Sequence, residues 1–262
     1  MKKKISITID SRLLKEIDSA VDNIYIRNRS QAIEFLSRNA LGERKAAVIL
    51  SGGPEEPLRL GKEFRPTARI GKKAVVEMAV EKLRASGFRE IFVVAREKVL
   101  TSIFNILKDG SSYGVKISYI EEKESSGTAD SLRLVKGRIE KQFLVVYSDI
   151  IFSRINLDEI WGAQIRGNPI ATLMLTSSKK PNEKGAVSVE GSRIIEFSQK
   201  PLETETNLVF SPVFVCEPAL LEYRGKSLEE DVFPRIAEKG LLYGYISSQK
   251  EKHIHTEEDL KN

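Results

Sequence analysis

The chain has 262 residues, 41% of them hydrophobic and 30% charged, with a formal net charge of +5. One cysteine and two histidines rule out an internal disulfide and argue against a histidine-rich metal site or a separate histidine-based triad. No apolar run approaches the roughly 20 residues that span a bilayer, and the basic Met1–Lys4 start leads into alternating sequence rather than a continuous apolar stretch, so a cytoplasmic protein with no membrane partner is expected.

The positive charge is concentrated at the start. Residues 1–44 carry nine Lys and Arg against six Asp and Glu, which points to a polyanionic partner for this segment. Lys4-Ile5-Ser6-Ile7-Thr8-Ile9 alternates polar and apolar, the period of a strand with one apolar face. Asp10 or Ser11 can cap a helix carrying Leu13, Leu14, Ile17, Val21 and Ile24 on one side. After a turn at 25–29, Ser30 is expected to cap a second helix with Ala32, Ile33, Leu36, Ala40 and Leu41 inward. Such a unit is too small to bury a core alone, and its strand edge needs a partner. Two copies pairing their strands satisfy both needs, so a homodimer or higher even oligomer is expected.

This layout resembles the ribbon-helix-helix DNA-binding repressors. The resemblance implies a double-stranded DNA operator as partner. It implies that Lys4, Ser6 and Thr8 face the major groove, and that Asn28, Arg29 and Ser30 meet a phosphate at the second helix's N-terminus.

From residue 45 the pattern changes. An apolar strand over 46–50 runs into Ser51-Gly52-Gly53. Then follow a helix over 72–86 ended by Gly87, a strand over 91–95, a helix over 99–107 and a strand over 115–120. A helix over 128–136 comes next, then a strand over 143–147 ending in Ser148-Asp149, a strand over 170–176, and a hairpin around Glu190-Gly191. Alternating strands and helices predict an α/β fold with a mostly parallel sheet covered on both faces. Ligands of such sheets sit beyond the carboxyl ends of the strands, where Gly52, Gly53, Gly127, Thr128 and Asp149 fall. Two domains follow, 1–44 and 45–262.

Residues 45–262 resemble the sugar-phosphate nucleotidylyltransferases, which implies their Rossmann-like GT-A fold. Gly52-Gly53 matches the family's glycine-rich start, and Ser126-Gly127-Thr128-Ala129 its Leu-Gly-Thr-Ala segment beside the base. Ser148-Asp149 matches the Gly-Asp whose aspartate binds Mg²⁺, and Phe197-Ser198-Gln199-Lys200-Pro201 the Phe-x-Glu-Lys-Pro whose lysine faces the sugar phosphate. Thr256–Leu260 resembles the Thr-Pro-Glu-Asp-Leu end. The resemblance therefore implies ligand contacts at Gly52, Gly53, Gly127, Thr128, Asp149 and Lys200, with Asp149 as the metal residue.

The departures cluster at the triphosphate end. Glu55, Glu56 and Pro57 stand where the family has Gly-Thr-Arg. Arg65-Pro66-Thr67 replaces Lys-Pro-Leu, and His253 takes the place of the second metal aspartate. A lost arginine, two gained carboxylates and a lost metal ligand oppose phosphoryl chemistry, which depends on positioning and charge neutralisation. The expectation is therefore a DNA-binding transcriptional regulator whose large domain is catalytically inactive and senses a nucleotide, sugar phosphate or nucleotide sugar. It needs no cofactor, and Mg²⁺ enters only with a nucleotide. An active nucleotidylyltransferase that also binds DNA, and a scaffold that binds no ligand, are the alternatives.

Overall fold

The computed structural model describes residues 5–21, 26–40, 45–124 and 126–261, with backbone alone for 38–40. The chain divides into two compact units, Met1–Glu43 and Arg44–Asn262.

The first unit holds helices α1 (Ser11–Ser19) and α2 (Arg29–Ala40). Asp10 caps α1, accepting from the Arg12 and Leu13 amides at 2.8 and 3.4 Å. Asn28, not Ser30, caps α2: its side chain accepts from the Gln31 amide at 3.0 Å, and Ser30 lies inside the helix. Ile17 and Ala32 are buried. Within the chain, residues 5–9 of the strand expected over 4–9 form no strand. Residues 5–10 are irregular, and Ser6 and Thr8 are exposed alongside Ile5 and Ile7. A strand needs a neighbour to bond to, and the described residues of this unit offer none. Lys4, Ile24, Leu41 and the join at 42–44 lie outside the described residues.

The second unit is built on a nine-stranded sheet. In chain order its main elements are β1 (Lys45–Ser51), α3 (Val75–Ala85), β2 (Phe88–Ala95), α4 (Glu97–Leu107), β3 (Lys116–Glu121), α5 (Thr128–Arg133) and β4 (Phe143–Tyr147). Then come α6 (Leu157–Gly167), β5 (Ala171–Ser177), β6 (Gly185–Glu190), β7 (Arg193–Gln199), β8 (Leu208–Cys216), α7 (Phe233–Glu238) and β9 (Leu242–Ile246). The strand order is β5-β9-β7-β6-β8-β4-β1-β2-β3. Strands β3, β2, β1 and β4 run parallel, while β8 pairs antiparallel with β4, β6 and β5. The sheet is thus mixed rather than mostly parallel. Sequence alternation revealed the β-α-β units but not the direction of the hairpin strands that extend them.

Burial explains why β1 reads as one apolar run. Val48 and Leu50 pack on one face with Leu132 of α5 and Phe233 of α7. Ala47 and Ile49 pack on the other with Val80 of α3 and Ile103 of α4. A strand covered on both faces has no polar side to show. No helix among the described residues is long and apolar enough to cross a membrane.

Candidate active site

The carboxyl ends of the four parallel strands lie in register. Leu50 of β1 pairs with Tyr147 of β4, Ser51 with Ala95 of β2, and Ala95 with Glu121 of β3. Just past these pairs come Asp149, Gly52, Arg96 and Glu122, spread across the end of the sheet. A cavity of about 110 Å³ opens there, lined in part by Gly52, Thr128, Tyr147, Ser148 and Asp149.

The glycine turn needs its glycines. A Cβ on Gly52 would fall 2.6 Å from Ser131 Cβ and 2.8 Å from Glu122 Oε1, and Gly53 has φ of +95°. The Gly53 amide donates to Glu122 Oε2 at 2.6 Å, and the Ser131 hydroxyl donates to the same carboxylate. Glu122 is buried; the described cation beside it is Arg96, 3.9 Å away.

Gly127 and Thr128 form a second support. A Cβ on Gly127 would meet the Lys226 carbonyl oxygen at 2.5 Å. Thr128 donates to Glu229 Oε2 at 2.6 Å and accepts from the Leu228 amide at 2.8 Å. The Tyr147 hydroxyl donates to Glu229 as well. Burial and the Glu229 charge push the Tyr147 phenol well above its ordinary pKa, so it stays protonated and a donor.

Asp149 is engaged by the loop residue Arg65, whose Nη1 lies 3.3 Å from Asp149 Oδ2; both side chains are largely buried. The C-terminal segment is laced to the same place. The Ile254 amide donates to the Asp149 carbonyl at 2.9 Å, and His253 pairs with Ile150 in a short antiparallel ladder. His253 stacks on His255 with ring centroids 5.4 Å apart. Behind His253 sits buried Glu251, which contacts His253 Nε2 at 3.1 Å and accepts from Ser211 Oγ at 2.6 Å. Burial opposes ionisation of Glu251, but these hydrogen bonds outweigh it and hold its carboxyl at about 2.

Among the expected ligand residues, Gly52, Thr128 and Asp149 line one cavity, and Gly53 donates to Glu122, which accepts from the lining residue Ser131. Lys200 stands apart. Its side chain is exposed, its φ is +46°, and its amide donates to the Lys184 carbonyl at 2.9 Å. It reaches the cluster only indirectly, since Lys184 Nζ lies 3.9 Å from Glu251. Sequence reasoning missed Glu122, Glu229 and Glu251. Each is a carboxylate that burial and hydrogen bonding turn into a structural anchor, and its sequence neighbours gave no sign of this.

The departures look different in three dimensions. Glu55 sits at the start of α4, accepting from the Lys98 amide at 3.3 Å, with Lys98 Nζ 3.5 Å away. A carboxylate is favoured there by the free amides of the helix N-terminus. Glu56 is exposed and pairs with Arg59 at 3.2 Å. Neither lines the cavity. Arg65 keeps a cation beside Asp149. His253 does remove a hard oxygen ligand, and no group of three His, Cys, Asp or Glu side chains among the described residues is placed to hold a metal. In the first unit, Arg29 pairs with Asp18 through two hydrogen bonds of 2.7 and 2.8 Å.

The nucleotidyl transferase family model matches residues 46–255. A mannose-1-phosphate guanyltransferase of Yarrowia lipolytica is 29% identical over 189 residues, 69% of this chain and 52% of its own. The low-salt glycan biosynthesis nucleotidyltransferase Agl11 of Haloferax volcanii is 30% identical over 179 residues, 67% of this chain and 50% of its own. The chain thus spans about half the length of these curated relatives. In structure, a protein assigned as a glucose-1-phosphate thymidylyltransferase from Bacillus anthracis superposes with a TM-score of 0.73 at 19% identity, covering 82% of this chain and 92% of its own. These findings overturn the expectation of a DNA-binding transcriptional regulator with an inactive sensing domain, because the relatives are named as guanyltransferases and nucleotidyltransferases. Glu55 and Glu56 are held by Lys98 and Arg59 rather than lining the cavity, and the chain belongs to the nucleotidyl transferase family.

Proposed function

We propose that the chain catalyses nucleotidyl transfer to a sugar 1-phosphate, releasing pyrophosphate and a nucleotide sugar. The observation that carries this reading is the convergence of Gly52, Thr128 and Asp149 on one cavity at the strand ends, within a family match covering residues 46–255. GTP with mannose 1-phosphate is the first substrate pair to test, after the names of the relatives.

In the reaction, an oxygen of the sugar phosphate attacks the α-phosphorus of the nucleoside triphosphate. The bond from that phosphorus to the bridging oxygen breaks, and pyrophosphate leaves with the electron pair. The protein's part is to align the two phosphates and offset their charge. The Gly52–Gly53 turn allows close approach of the triphosphate. Arg65, held by Asp149, supplies a cation with donors to spare. Thr128, fixed by Glu229 and the Leu228 amide, braces the wall of the nucleotide cleft.

Mg²⁺ fits this site only as an ion carried by the nucleotide. It is commonly held by one or two carboxylates together with substrate phosphates, and Asp149 is the carboxylate here. Bound so, it neutralises charge on the phosphates. Incubation of the full chain with GTP and mannose 1-phosphate, read by pyrophosphate release, tests the function.

A second copy of the chain is the partner proposed for the first unit, whose Ile5, Ile7 and Leu13 are exposed. Analytical centrifugation should show a dimer at low micromolar concentration, and a folded monomer there would remove this partner. The lone thiol, Cys216, is buried and its pKa is raised by that burial; an inert thiol suits a cytoplasmic location.

A further inference from the structure

We propose that Arg96 grips the polyphosphate of the nucleotide, taking over for the arginine that the glycine-rich loop lacks. The inference rests on the nucleotidyl-transfer reading above and adds a residue to it.

Three observations place Arg96 there. First, register: Ser51 pairs with Ala95, so the residues that follow, Gly52 and Arg96, leave adjacent parallel strands side by side. Second, connection: the Gly53 amide and Arg96 Nε approach the same oxygen, Glu122 Oε2, at 2.6 and 3.9 Å. Glu122 therefore holds the turn and the guanidinium together. Third, unused donors: Arg96 Nε is buried and has no hydrogen-bond partner, and its contact with Glu122 is too long to be a hydrogen bond. A buried donor without a partner calls for a functional explanation.

Arg65 shows the same features on the opposite side of the turn. Its Nε is also buried and unpartnered, and one of its terminal nitrogens is on Asp149. The Gly52–Gly53 turn is thus bracketed by two arginine–carboxylate pairs, each with a spare buried N–H. A guanidinium presents five donors in a planar fork suited to phosphate oxygens. Each carboxylate orients its arginine without consuming it. A chain of phosphates laid over the turn would meet one guanidinium at each end. The Glu55 and Glu56 carboxylates do not intrude, being paired with Lys98 and Arg59.

The experiment is calorimetric titration of the full chain with GTP and, separately, with inorganic tripolyphosphate, comparing wild type with Arg96→Gln and Arg96→Lys. Loss of a charge-assisted contact should weaken both ligands about ten- to a hundredfold in Arg96→Gln. Arg96→Lys should recover part of the loss, and the KM for the sugar phosphate should not move. Equal affinity of Arg96→Gln and wild type for both ligands overturns the inference while leaving the functional reading intact. A loss confined to GTP, with tripolyphosphate unaffected, also overturns it, because the arginine then serves the nucleoside. Wild type that binds neither ligand brings down the functional reading itself, and this inference with it. Phenylglyoxal modification of wild type, mapped by mass spectrometry, needs no variant to fold. Tripolyphosphate should shield Arg96, and an unshielded Arg96 in the presence of saturating ligand overturns the assignment.

Discussion

The strand ends and the loop that follows Gly53 both carry carboxylates, and they use them in opposite ways. At the strand ends, Glu122 is buried and Asp149 largely so, and each lies beside an arginine on its own side of the glycine turn. In the loop, Glu55 is also largely buried but is held at the start of α4 by Lys98, and exposed Glu56 is paired with Arg59. Charge counted along a sequence is therefore a poor guide to the field inside a cleft. A carboxylate acts on a phosphate only if it points at it, and its effect falls with distance and solvent screening.

The comparison breaks most readily at Asp149. Asp149→Ala should lower kcat by about 10²–10³-fold, the loss typical of removing one preorganised charge-stabilising group, with pyrophosphate release as the measure. A variant that keeps its rate would mean that the strand-end carboxylates are scaffolding like those of the loop.

Next in size is the anchor behind His253. Glu251 has a folded pKa of about 2 against an ordinary 4.5. A depressed carboxyl pKa contributes stability that is present above pH 4.5 and is lost as pH falls toward 2. The shift corresponds to about 3 kcal/mol. Melting curves across that window should show the loss in wild type and a flatter profile in Glu251→Gln.

The α5 support should matter less. Thr128→Val leaves the Leu228 amide without its partner and Glu229 Oε2 with Ser227 Oγ alone, at a cost of about 1–3 kcal/mol. Chemical denaturation gives the number. A neutral result would say that the Gly127–Thr128 turn is held by Lys226 alone.

Smallest of all should be the loop carboxylates. Glu56→Gln removes an exposed pair and should change stability by under about 1 kcal/mol. Glu55→Gln should cost a similar amount through the helix terminus. Neither should raise kcat by as much as about tenfold; a larger gain would show that these carboxylates do oppose the triphosphate.

How legible this was in the sequence differs by region. The buried strands β1, β2 and β4 announce themselves by continuous apolar runs, because both faces of the sheet are covered. Helix α3 is equally plain, with Val76, Ala79, Val80 and Leu83 at helical spacing and buried. Gly52 and Asp149 were readable because strand ends are where such folds bind ligands. The strand at 4–9 depends on a second copy, since alternation describes a face but cannot supply a neighbour. The loop misled. Glu55 and Glu56 have the same letters whether they point at a phosphate or at Lys98 and Arg59, and only the fold decides which. Arg96 and Glu122 stay invisible because the register that joins them spans three strands distant in sequence.

The central claim is that the chain is an active catalyst despite its altered loop. The direct test is pyrophosphate release by the purified full chain, with nucleoside triphosphates and sugar 1-phosphates supplied in pairs and Mg²⁺ present, beginning with GTP and mannose 1-phosphate. The account predicts pyrophosphate and nucleotide sugar in equal amounts, lost in Asp149→Ala. No product from any pair, by a protein that is folded and binds nucleotide, would contradict it.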